Sequence, residues 1–210
     1  MKSQSPPSLR REELSHRRYM RPTEIIKGKL WLGPHAASSV TSMEILRKAK
    51  ITHIINCTKN LPFPKQQDLP TLKECLRVDV DDVISESDMM REKLCVVLPL
   101  IEKALVEEDG KVYVHCAMGM SRSSTVLIAY RIEYLSETLK EAYERTKALR
   151  SIIAPNPGFF KILIEREVRK CGKPSISLSK YEYINIHQVM KDWYWYVSSS
   201  HFVFTPLSVK

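Results

Sequence analysis

The chain has 210 residues, 43% of them apolar and 27% charged, a composition that fits one hydrophobic core with short appendages. No run approaches the about 18 consecutive apolar residues of a membrane span, and the opening MKSQSPPSLRREELSHRR lacks the apolar stretch of a signal peptide, so the expected setting is cytoplasmic, with the nucleus as an alternative. Five cysteines (Cys57, Cys75, Cys95, Cys116, Cys171), an odd number without a CxxC pair, suggest neither a disulfide framework nor a zinc site, while a formal charge of +9 points to anionic partners such as phosphoproteins, nucleic acid or acidic headgroups.

Residues 1–22 form a basic tail, with Arg10, Arg11, Arg17 and Arg18, and apolar patterning starts only at Ile25. IIKGKLWLG predicts an edge strand or hairpin turning at Gly28. SMEILRKAK has helical spacing through Met43, Leu46 and Ala49, and ITHIINCT is a buried strand. NLPFPKQQDLP, with three prolines, is a loop. ECLRVDVDD alternates Leu76, Val78 and Val80 against Arg77, Asp79 and Asp81, which predicts a strand with one buried face. A long helix follows around MMREKLCVVLPLIEKALVEED, kinked or started late at Pro99, then the strand KVYVHC. Helices are predicted from Ser123 to Tyr134, Thr138 to Leu149 and Pro157 to Lys170. Strands alternating with helices, followed by a helical C-terminal half, predict an α/β fold with a mixed, largely parallel central sheet flanked by helices. The catalytic-sized domain spans 23–172. Residues 173–210 form an extension rich in Ser and aromatics, in which Trp193, Tyr194, Trp195 and Phe202 are expected to cover exposed core, the alternative being a partner-binding or membrane-touching patch.

The chemistry concentrates in VYVHCAMGMSRSSTVLIAY. A strand ending at His115-Cys116, a loop of Ala117, Met118, Gly119, Met120 and Ser121, and a helix starting near Arg122 make an anion cradle. Loop N–H groups converge on the point at which the positive end of the helix dipole aims. A cysteine sulfur in that cradle has its thiolate stabilised by the dipoles that bind the anion, which makes Cys116 a nucleophile. Arg122, six positions on, supplies a planar fork for two phosphoryl oxygens, which a lysine cannot. Ser123 is placed to donate its hydroxyl to the Cys116 sulfur. His115 is expected to be buried and hydrogen-bonded, supporting the loop rather than acting as a base.

HCAMGMSRSS resembles the Cys-x5-Arg signature of the protein tyrosine phosphatases, in the HCxxGxSRS form of the dual-specificity phosphatases. LWLG, ITHIINCT, the strand ending in VDVDD, and APNPGF look like the same family, so the resemblance covers roughly Ile25 to Lys170. It implies hydrolysis of phosphotyrosine and phosphoserine or phosphothreonine through a phosphocysteine, with residues 117–122 binding the phosphate and no cofactor or metal. It also implies an acid on a mobile loop about thirty residues before the nucleophile. Asp82 matches by register, Asp81 is the rival, and Asp79 lies within the strand. Asn156 matches a residue that supports the phosphate loop, and Cys57 stands where some superfamily members carry a redox partner for the nucleophile. Ser151 replaces a common proline, and Met118 and Met120 are unusual.

The uncharged loop disfavours phosphoinositides, whose phosphatases commonly place lysines there. The basic charge keeps RNA 5′-phosphates as an alternative substrate, although nucleic acid is not the favoured partner. A second alternative is a non-catalytic phosphoprotein-binding module, since IIKGKLWLGPHAASS and ITHII look similar to catalytically dead relatives, but those lack the cysteine. A phosphoprotein substrate is favoured, with a kinase as a candidate partner of the basic tail.

Overall fold

The computed structural model describes residues 19–36 and 39–182. Its strands are β1 (Thr23–Ile26), β2 (Leu30–Gly33), β3 (His53–Asn56), β4 (Glu74–Arg77) and β5 (Val112–His115). Its helices are α1 (Val40–Ala49), α2 (Ser87–Val106), α3 (Arg122–Tyr134), α4 (Leu139–Leu149) and α5 (Pro157–Cys171), with a 3-10 turn at Ile84–Glu86 before α2.

The strands form one sheet in the order β1-β2-β5-β3-β4, in which only the β1–β2 pair is antiparallel. Gly28, at φ +71°, makes the turn of that hairpin. Strand β5 lies between β2 and β3 and is buried along its whole length. Its side chains alternate between two apolar layers. Val112 and Val114 join Leu30, Leu32 and Ile55 under α2, α3 and α5, whereas Tyr113 joins Trp31, Ile54 and Leu46 under α1. Burial on both faces explains why these strands read as continuous apolar runs. Helix α3 is buried from Ser123 to Ile132, and its small polar residues let it sit at the centre of the helical layer.

Local signals set the helix ends. Ser39 caps α1, Thr138 and Glu141 form a capping box on α4, and Asn156 caps α5, which ends at Gly172 with φ +78°. Pro99 does not delay or end its helix. Helix α2 runs through it, with the proline on the exposed side. The strand expected through Val80 stops at Arg77, because its neighbour β3 ends at Asn56. The last ladder bond runs from Val78 N–H to Asn56 O at 2.9 Å, yet Val78 and Val80 stay buried while Asp79 and Asp81 are exposed.

Because Gly33, Asn56 and His115 are register partners, the loops after β2, β3 and β5 leave the sheet at one edge. In parallel sheets this carboxyl edge is where ligand sites form. The start of the expected extension packs on the domain. The Tyr181 ring stacks on Phe160 with centroids 3.5 Å apart, meets Tyr143 edge-on, and its hydroxyl donates to Pro155 O. The basic residues Arg10, Arg11, Arg17 and Arg18, and Trp193, Tyr194, Trp195 and Phe202, lie outside the described residues.

Candidate active site

Strand β5 delivers Cys116 to the carboxyl edge, and α3 begins six residues later at Arg122. The chain between them is pinned by its carbonyls. Ala117 O accepts from His35 N–H at 3.2 Å, Met118 O and Gly119 O accept from the Arg150 guanidinium at 2.9 Å each, and Met120 O accepts from Ala154 N–H at 2.9 Å and from the Ser124 hydroxyl. In a trans peptide the N–H points opposite to the C=O of the same unit. With no cis bonds present, the N–H groups of Met118, Gly119, Met120 and Ser121 therefore face the other way, into the bowl. Gly119 N–H is indeed directed at Cys116 Sγ, at 3.2 Å.

Gly119 has φ +69°, and a Cβ there would collide with the Gly33 backbone and stand 2.9 Å from Arg150 Nη2. Only glycine satisfies both demands. Ser123 Oγ donates to Cys116 Sγ at 3.2 Å from the first turn of α3. Ser121, at the N-cap of that helix, makes no side-chain cap bond, so the amides at the positive end of α3 are left for an anion.

The Ser121 hydroxyl donates instead to Asp82 Oδ1 at 2.6 Å and accepts from Asn156 N–H at 2.9 Å. Asn156 Nδ2 donates to the same carboxylate oxygen at 2.9 Å while its Oδ1 caps α5. Asn156 thus supports both the loop, through Ser121, and Asp82. Arg122 lies across the mouth, with Nη1 donating to Val80 O at 3.3 Å and Nε 3.9 Å from Asp82 Oδ2. Its buried Nε has no hydrogen-bond partner among the described residues, which leaves one arm of the fork available to a bound oxyanion. The rival Asp81 points away, paired with Lys59 Nζ at 2.8 Å, and Asp79 pairs with Lys93.

His115 is fully buried, stacks on Tyr113, and places Nδ1 3.3 Å from Cys116 O. Burial pulls its pKa down to about 3, so the ring is neutral. The expected hydrogen bonding is half met, because Nε2 has no partner among the described residues. Cys57 is also buried, one position beyond the Asn56–His115 register pair, and its N–H donates to His115 O at 2.7 Å. Burial chiefly, then the negative potential of Cys116, holds its thiol well above the usual range, against a smaller opposite pull from Arg122.

The structure brings together Cys116, residues 117–121, Arg122, Ser123, Asp82 and Asn156, with His115 and Cys57 directly beneath. Two residues that the sequence did not single out complete the frame. Those are Arg150 and His35, whose bonds to the loop join positions far apart in the chain and leave no local pattern to read. No group of residues able to hold a metal ion exists among the described residues, and none of their helices is long and apolar enough to cross a membrane.

Comparison with known proteins agrees with this geometry. The model of the dual specificity phosphatase catalytic domain matches residues 30–169. Dual specificity protein phosphatase 14 of Mus musculus is 31% identical over 163 residues, covering 75% of each chain. A serine/threonine/tyrosine-interacting protein of the same species is 31% identical over 160 residues, covering 74% of this chain and 68% of its own. The crystal structure of human DUSP28 superposes with a TM-score of 0.62 at 30% identity, covering 71% of this chain and 94% of its own. The chain belongs to the dual specificity phosphatases and is a protein phosphatase, a hydrolase of phosphoprotein substrates.

Proposed function

We propose that the enzyme works by double displacement through a phosphocysteine. The Cys116 thiolate attacks phosphorus in line with the ester oxygen, while Arg122 and the inward N–H groups of residues 118–121 hold the equatorial oxygens. The P–O bond to the substrate breaks as Asp82 gives its proton to the leaving oxygen. Water then attacks the phosphocysteine, Asp82 takes the proton of that water, and Ser123 donates to the departing Cys116 sulfur. No step calls for a metal, since the positive potential comes from Arg122, the loop amides and the α3 dipole.

The observation that carries this reading is the double donation to Cys116 Sγ, by Gly119 N–H and Ser123 Oγ, at 3.2 Å each. Asp82 over Asp81 is favoured by its bonds to Ser121 and Asn156, which hold it at the loop. Turnover of para-nitrophenyl phosphate in the presence of chelator, abolished in Cys116→Ser, is the expected result. A wild-type protein that turns over neither this ester nor a phosphopeptide would overturn it. A phosphoprotein panel including phosphorylated kinases is the natural next screen. A cytoplasmic or nuclear setting, where thiols stay reduced, suits such a nucleophile.

We also propose Cys57 as redox partner of Cys116. Neighbouring strands lie about 4.8 Å apart, within the Cα separation of a disulfide, and both cysteines belong to the same apolar layer. Hydrogen peroxide would convert the Cys116 thiolate to a sulfenic acid with loss of hydroxide, and the Cys57 thiol would then displace water to form the disulfide. Peptide mapping after peroxide is expected to find the Cys57–Cys116 link. Cys116 found only as sulfinic acid would reject it.

A further inference from the structure

Arg150 follows the last residue of α4 and is 2% exposed. All five of its guanidinium N–H donors are used. Nε donates to Gly119 O and one Nη2 proton to Met118 O, at 2.9 Å each. The others go to Tyr19 O at 2.8 Å, Arg21 O at 3.0 Å and Thr23 Oγ1 at 3.1 Å. One planar group therefore clamps two consecutive loop carbonyls to the segment that leads into β1.

Every acceptor is neutral, and among the described residues no carboxylate pairs with Arg150. Burial pulls its pKa down from the ordinary arginine value, while Tyr113 and Cys116 pull the other way. An arginine nonetheless stays charged. Its charge, neutralised by no carboxylate of the described residues, lies behind the loop. Cys57 and Tyr113 also interact electrostatically with the thiol, while Arg122, Asp82 and the neutral His115 stand around the loop.

We infer that Arg150 is a positioning residue for phosphate binding. By fixing Met118 O and Gly119 O outward it sets the Gly119 and Met120 N–H groups inward, and its buried charge adds positive potential behind Cys116 and the bound phosphate. This role rests on the Cys116 chemistry proposed above. Residues 19–23 share in it, because their two carbonyls and the Thr23 hydroxyl fix the orientation of the fork. Met20 O in turn accepts from the Ser42 hydroxyl at 2.8 Å, which ties this segment to α1.

The test compares wild type, Arg150→Met and Arg150→Lys as full-length proteins. Its readouts are competitive inhibition by inorganic phosphate, the pH profile of Cys116 alkylation by iodoacetamide, and thermal unfolding. The methionine variant is expected to bind phosphate at least about 10-fold more weakly. Its alkylation midpoint should move to higher pH by about half a unit or more. Lysine keeps the charge but cannot span both carbonyls, so it should keep the midpoint near wild type while still weakening phosphate. A purely structural role would lower the unfolding temperature without moving either readout in the folded protein.

Folded Arg150→Met with wild-type phosphate inhibition and alkylation profile would overturn the inference. If the methionine variant does not fold, wild-type phosphate inhibition by Arg150→Lys does the same. A wild-type protein without turnover would remove the Cys116 reading and this inference with it, whereas an active wild type with unaffected variants defeats the inference alone.

Discussion

Two loops meet over Cys116 and are held by opposite means. The phosphate loop, 116–121, is fixed through its backbone by partners from distant parts of the chain, the buried Arg150 and the half-buried His35 and Ala154. The segment carrying Asp82 is held mainly by side chains near solvent. Lys59 bridges Asp81 and Glu86 at 2.8 Å each, and Val83 and Ile84 are exposed. Anion binding rewards a bowl that does not reorganise, whereas a group that gives a proton in one step and takes one in the next benefits from freedom to adjust. The contrast predicts steep penalties on one loop and shallow ones on much of the other.

The largest effect is expected at Gly119. Gly119→Ala meets a positive φ and the backbone of Gly33 together, and should lower kcat/KM by about 10³-fold, as for loss of an oxyanion donor or more. Activity within a few fold of wild type would show that the bowl is not rigid. Asp82→Asn should cost about 10²-fold in kcat toward a phosphotyrosine peptide, and much less toward an ester whose leaving group needs no proton, such as para-nitrophenyl phosphate. The same loss in Asp81→Asn, with Asp82→Asn near wild type, would exchange the two assignments.

His115 gives a stability prediction within the rigid half. Its pKa falls to about 3 in the folded protein, against about 6.5 in an unfolded chain. Between those values the unfolded chain holds the extra proton, so acid favours unfolding and stability falls as pH drops through the window. The difference amounts to about 2 kcal/mol between pH 7 and pH 5. Urea titrations at both values should show this loss in wild type and its absence in His115→Asn. Equal pH dependence in the two proteins would place His115 in contact with water.

The smallest effect is expected at Lys59. Lys59→Met removes both exposed ion pairs of the Asp82-bearing segment and should change kcat/KM by no more than about fivefold, less at high salt. A drop like that of Asp82→Asn would mean that this segment is as firmly held as the phosphate loop.

The rigid loop was also the more legible one in sequence. Cys116, Gly119, Arg122 and Ser123 lie within eight residues, and each residue type is dictated by local geometry that a short motif can record. Asp82 needed register counting along ECLRVDVDD, and the strand itself ends at Arg77 because its length depends on where β3 stops. Pro99 read as a kink or a late start since proline removes a helix bond, yet on an exposed face that loss is tolerated. Arg150 was illegible for a different reason. It closes an amphipathic helix as many basic residues do, and its acceptors lie 31 to 131 positions away in the chain.

The most direct measurement is acid-quenched mass spectrometry of Ser123→Ala during turnover of a phosphotyrosine peptide. With a hydroxyl no longer donating to the departing sulfur, the second step slows, and phosphate should accumulate on Cys116 with a burst of released tyrosine peptide. Steady turnover with no phosphate on Cys116, together with activity retained in Cys116→Ser, would contradict a cysteine nucleophile in this loop.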